Sequence, residues 1–110
     1  MKKILLILLC FILFGCTKVE ETDYKEIMQK SDHIIVDVRT EEEYEINHII
    51  NAINIPVDNI NEEIELDKDK LIFVYCKSGN RSSIASKKLE NLGYKTYDLG
   101  SIYEIDLPKD

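Results

Sequence analysis

The stretch LIFVYCKSGNRSSIASKKLENLG, residues 71–93, decides the architecture. Leu71–Tyr75 is an apolar run of aliphatic and aromatic residues, the pattern of a buried strand. The following residues, 76–80, contain Ser and Gly and read as a loop. From Arg81 to Leu92 the residues Ile84, Ala85, Leu89 and Leu92 are placed on one side of a helix, and Gly93 is its stop. A buried strand, a tight loop and a helix in direct succession is half of a strand–helix–strand unit.

Working outward, the same alternation continues. Residues 33–38 (HIIVDV) form a second buried strand. Thr40 with Glu43 three residues later is a capping box that opens a short helix through about Ile46. Residues 52–55 form a short strand ended by Pro56, and Asp58–Leu66, with Ile60 and Ile64 above an acidic face, is predicted helical. Tyr24, Ile27 and Met28 have helical spacing. Lys95–Leu99 is a last strand, followed by a short turn around Ile102. Alternating strands and helices predict an α/β fold, an open, mostly parallel sheet with helices on both faces. Ligands of such sheets bind at the carboxyl ends of the strands. Asp37-Val38-Arg39 and the loop from Cys76 both fall there.

Composition narrows the function. A chain of 110 residues holds one small domain, which excludes a two-domain enzyme. The formal charge of −7 lacks the basic face that a nucleic-acid binder needs, so no nucleic-acid partner is expected. Three Cys is an odd number and argues against a disulfide scaffold. The two His accompany no CxxC-type pair, and no metal or cofactor is expected.

The first sixteen residues stand apart. Lys2 and Lys3 precede an apolar run from Ile4 to Phe14, too short for the ~20 residues of a membrane-spanning helix. A positive start, a short apolar stretch and a small residue form a secretory signal. Leu13-Phe14-Gly15-Cys16 resembles a bacterial lipobox, which implies cleavage of residues 1–15 and a lipid on Cys16; an uncleaved signal anchor or an ordinary secretory signal is the plain alternative. Residues 16–22 would then be the lipidated Cys and tether, and 23–110 the domain. Cleavage would leave 95 residues and a formal charge of −9. The expected location is the extracytoplasmic face of the cell membrane. Cys10 would be lost and Cys16 modified, so Cys76 would be the one free thiol.

Three features favour a thiolate at Cys76. It precedes a helix N-terminus, where unpaired N–H groups and the dipole attract negative charge. Lys77 and Arg81 add positive charge. Gly79 and Asn80 tolerate the positive φ that turns successive N–H groups into an anion nest. A buried, inert core Cys at a strand end is the plain alternative. Arg usage bears on the choice: residues 16–110 contain ten Lys but only Arg39 and Arg81, both at the predicted strand ends. A planar guanidinium suits oxyanion or carboxylate contacts.

The motifs VDVRTEEEY (36–44), HIINAINIP (48–56), VYCKSGNRS (74–82) and LGYKTYDLG (92–100) together resemble the single-domain rhodaneses, a family of sulfurtransferases. The resemblance covers about Tyr24 to Ile105. It implies a rhodanese-like fold in which the Cys76 thiolate takes sulfane sulfur, from a donor such as thiosulfate or a polysulfide, as a persulfide. A thiol or cyanide acceptor then receives it. Backbone N–H groups of Lys77, Ser78, Gly79, Asn80 and Arg81 would cradle the sulfur, Arg81 would brace the loop, and Asp37 and Arg39 would order the neighbouring strand end. No cofactor is required, since the covalent intermediate carries the sulfur. Related folds act as phosphatases or arsenate reductases through a larger loop; the four residues between Cys76 and Arg81 favour sulfur. A non-catalytic, membrane-tethered binding module is the remaining alternative.

The chain departs from the family pattern in three places. Asn47 stands where Gly is usual, Ile50-Asn51 where Pro-Gly is usual, and Ser101, Ile102 and Tyr103 where a second Gly and a Trp would follow, which predicts a short or loose C-terminal helix. A lone His48 reads as a structural hydrogen-bonding residue. Ser82 and Ser83 are candidates for hydroxyl donors to the loop or for caps. The acidic stretches 41–45 and 62–69 read as solvated faces.

Overall fold

The computed structural model describes residues 21–110. The expected signal peptide, the Cys16 lipidation site and most of the tether lie outside the described residues. Helix α1 spans Glu21–Lys30, so it takes in the last two positions expected to be tether. Strand β1 spans His33–Asp37, helix α2 Glu41–Ile46, strand β2 Ile53–Asn54, strand β3 Leu71–Cys76, helix α3 Asn80–Asn91 and strand β4 Thr96–Ser101. Single 3-10 turns occupy Val57–Asn59 and Ile102–Glu104. Among the described residues no helix is long and apolar enough to cross a membrane.

The four strands form one all-parallel sheet in the order β2-β1-β3-β4. Alternation along a strand sends successive side chains to opposite faces. Phe73 and Tyr75 of β3 therefore enter one cluster, with Ile35, Tyr24 of α1, and Ile102 and Ile105 of the C-terminal segment. Ile72, Val74 and Cys76 enter the other, with Val36, Val38, and Ala85 and Leu89 of α3. Helices cover both faces, as the alternation predicts.

The capping box forms as read. Thr40 Oγ1 accepts from Glu43 N at 3.3 Å, and Glu43 Oε1 accepts from Thr40 N at 3.0 Å. Gly93, at φ 96°, ends α3 in the left-handed conformation. Asn51 stands where the family has Gly and adopts the same region, with φ 74°. Asn tolerates it better than other side-chain-bearing residues, so the turn survives the departure.

Two expectations fail. Residues 58–66 are not an α-helix: after the 3-10 turn the chain runs through turns and irregular backbone. Asn61 Oδ1 accepts from Glu63 N at 2.8 Å, a local bond that competes with helix formation. Tyr94 Oη accepts from Leu66 N and donates to Ile64 O, which ties the irregular backbone to the core. In α3, Ile84 is exposed, and the buried face is Ser82, Ala85, Ser86 and Leu89. That set keeps the 3–4 spacing; Ile84 lies out of phase with it.

The C-terminal segment is short but not loose. Ile102 and Ile105 are buried, while Tyr103 and Glu104 of the turn face solvent. Residues 108–110 then pair antiparallel with 48–50: His48 N donates to Asp110 O, Ile50 N to Pro108 O and Asp110 N to His48 O. Tyr24 Oη accepts from Asp106 N at 3.1 Å, and Lys25 pairs with Asp106, so α1 is clasped to the chain just beyond β4.

Candidate functional site

Cys76 is the last residue of β3, and its side chain is fully buried. Gly79 N donates to its Sγ at 2.9 Å and Ser82 N at 3.2 Å. The thiol donates in turn to Ser82 Oγ at 3.4 Å, while that hydroxyl donates to Gly79 O at 3.1 Å. A hydroxyl that accepts from a thiol can rotate to donate to a thiolate. Gly79 makes the loop possible: its φ of 97° turns the chain from strand end to helix start. Asn80 needs no such freedom, since it is already the first residue of α3. Of the expected cradle, Gly79 therefore donates directly to Sγ, and Ser82 is a donor that the 77–81 reading left out. Lys77, Ser78 and Asn80 are exposed along the loop.

Arg81 braces the first turn of α3 through a partner 38 residues away. Its Nη1 donates to Glu43 Oε1 at 2.6 Å and its Nη2 to Glu43 Oε2 at 3.0 Å. This bidentate pair locks the loop's far end to α2, and Glu43 is not part of a merely solvated face. The pair raises the Arg81 pKa above its ordinary value. The Glu43 carboxyl is held at about 2 against an ordinary 4.5. The Arg81 hydrogen bonds are the main cause, partial burial opposes them, and the Thr40 bonds assist.

A carboxyl with a lower pKa in the folded state stabilises fully above the unfolded value and loses that contribution as pH falls through the folded one. Between pH 4.5 and about 2, urea melts should show wild-type stability falling toward that of Glu43→Gln, whose own curve lacks this component. Parallel curves across that window would remove the pair from the acid response.

Asp37 and Arg39 form a second, deeper pair, with side chains 0% and 4% exposed. Arg39 Nη2 donates to Asp37 Oδ2 at 2.6 Å, Nε bridges both carboxylate oxygens, and Arg39 N donates to Oδ1 at 2.9 Å. Arg39 Nη2 also donates to Asn47 O at 2.6 Å, and its guanidinium lies 5.6 Å from the Tyr75 ring centroid. Burial works against the Arg39 charge, but the Asp37 bonds and charge outweigh it and raise the pKa. Burial likewise pushes the Tyr75 phenol pKa up. Asn54 Nδ2 donates to Asp37 O and Arg39 O, joining β2 to the same corner. Both Arg thus serve carboxylates of this chain. The groups aimed at Sγ are backbone N–H groups, and Lys77 is the exposed cation of the loop.

His48 Nδ1 lies 2.8 Å from Tyr44 O, and its ring stacks on Tyr44 at 3.9 Å, a structural placement. Among the described residues no His, Cys, Asp and Glu group could hold a metal ion.

A parallel α/β sheet with a cysteine at the carboxyl end of an inner strand, followed by a tight loop and a helix, defines a class of small cysteine-centred domains. Within that class, residues 20–104 match the Rhodanese-like domain, and the chain belongs to that family. It is 36% identical over 78 residues to the thiosulfate sulfurtransferase PspE of Escherichia coli, covering 67% of this chain and 75% of that one. It is 39% identical over 87 residues to the adenylyltransferase and sulfurtransferase UBA4 of Candida albicans, covering 70% of this chain. The chain spans only a fifth of that relative's length. Among solved structures, a rhodanese with anions from E. coli superposes with a TM-score of 0.65 at 32% identity, over 71% of this chain and 96% of the other.

Proposed function

We propose that the chain is a sulfurtransferase that carries sulfane sulfur on Cys76, held at the extracytoplasmic face of the membrane by a lipid on Cys16. The observation that carries the reading is the convergence of Gly79 N–H and Ser82 N–H on Cys76 Sγ. Donors fixed at a sulfur stabilise its negative form without reorganising during reaction.

The Cys76 thiolate attacks the outer sulfur of a donor such as thiosulfate or a polysulfide. A new S–S bond forms, the donor's S–S bond breaks, and its electron pair leaves on sulfite or the shortened polysulfide. A thiolate or cyanide then attacks the outer sulfur of the Cys76 persulfide and restores the thiolate. The exchange is balanced and draws on no cofactor.

The test is intact mass. The purified protein, freed of reductant and treated with thiosulfate or polysulfide, gains about 32 Da, one sulfur, and the Cys76→Ser variant does not. An unchanged mass with every donor sinks the reading, and Cys76-dependent turnover of a phosphate ester or arsenate would replace it. For the anchor, wild-type protein made with a labelled fatty acid carries the label and Cys16→Ser does not; equal labelling of the two, or none in the wild type, refutes lipidation at that position.

A further inference from the structure

Strand β4 contains an irregularity beside the loop. Val74 pairs with Asp98, but Tyr75 pairs with Gly100 and Cys76 with Ser101, so Leu99 is an extra residue. Asp98 Oδ1 accepts from Gly100 N at 2.9 Å and holds the bulge. Bulges near functional sites re-aim side chains. Here the bulge brings Ser101, rather than Gly100, level with Cys76.

Ser101 is nearly buried and fully engaged. Its hydroxyl donates to Lys77 O at 2.5 Å and accepts from Tyr103 N at 3.2 Å. The peptide following Lys77 is planar and trans, so its C=O and the Ser78 N–H point in opposite directions. Anchoring the carbonyl on β4 therefore turns the Ser78 N–H away from β4. That N–H has no protein acceptor among the described residues and neighbours the Gly79 N–H, which points at Sγ.

A persulfide adds an outer sulfur about 2.05 Å beyond Sγ. The Gly79 and Ser82 N–H groups are committed to Sγ, so the outer sulfur needs a donor elsewhere on the loop. We infer that Ser101 is a positioning residue for the persulfide: through the Lys77 carbonyl it fixes the Ser78 N–H as a donor to the outer sulfur. This rests on the sulfurtransferase reading and adds a residue to it.

The experiment compares full-length wild type, Ser101→Ala and Ser101→Thr. Thr keeps the hydroxyl and suits the extended backbone at φ −85°, ψ 136°. The readouts are the rate of single-sulfur mass gain with thiosulfate and the backbone amide NMR shifts of Ser78 and Gly79, each taken on protein shown folded by its thermal melt. Loss of one hydrogen bond to a charged sulfur predicts an about tenfold slower gain in Ser101→Ala, with the Ser78 amide displaced. Ser101→Thr restores both. Wild-type rates in Ser101→Ala with an unmoved Ser78 amide would overturn the inference. A displaced melt with no change in rate per folded molecule would make Ser101 only structural and would also overturn it. A wild type that gains no sulfur from any donor removes the parent reading, and this one with it.

Discussion

Asp37→Ala is expected to cost a large share of the domain's stability. The substitution leaves Arg39 buried without its carboxylate, in a site 4% exposed where water cannot replace the lost partner. Breaking one side of a buried pair costs about 3–5 kcal/mol, because the surviving charge stays desolvated. Small domains are stable by only ~5–15 kcal/mol. The corner also holds the start of the 39–47 segment: Asp37 accepts the Arg39 backbone N–H, and Arg39 reaches Asn47 O. The melting temperature should fall by roughly 15–30 °C. A loss under about 1 kcal/mol would mean that the pair is dispensable. Replacing both residues with apolar ones of similar volume should recover part of the loss, since the stranded charge is then gone.

Gly79→Ala should have the reverse profile, a small stability change and a large loss of sulfur transfer. A Cβ at Gly79 would meet only the Gly100 Cα, at 4.0 Å, so the cost is conformational rather than steric. An L-residue at φ 97° costs about 1–2 kcal/mol. The loop can relieve that cost only by changing φ. This rotates the Gly79 N–H off Sγ and forfeits a bond worth roughly 1.5–3 kcal/mol when the sulfur is charged. Persulfide formation should slow about 10- to 100-fold while the protein stays folded, read by the rate of mass gain beside a urea melt. An unaltered rate would show that the 2.9 Å contact does not matter to the chemistry.

The parts that local physics determines were legible before the structure. β3 and β1 are runs of apolar residues buried on both faces, and parallel strands between helices have no other stable arrangement. Thr40 and Glu43 announce α2 because a cap is a local bond. What the sequence could not display is long-range pairing. Glu43 reads as a capping residue, and no spacing rule links it to Arg81. Ser101 meets the loop only because a bulge in β4 shifts its register. The acidic 58–66 stretch misled in a different way: its Ile spacing suits a helix, but Asn61 and the Tyr94 phenol capture the backbone first. Ile84 misled similarly, because the inner face of α3 runs through Ser82, Ala85, Ser86 and Leu89, and the small serines leave Ile84 out of phase with it.

The clasp between Tyr24 and Asp106 has a mechanical consequence. Asp106 lies just past the point where β4 finishes, so α1 begins at the end of the sheet that carries Cys76 and runs back toward the end where Asp32 hands the chain to β1. A leash joined ahead of Glu21 would pull on the reactive end of the domain rather than on its far end.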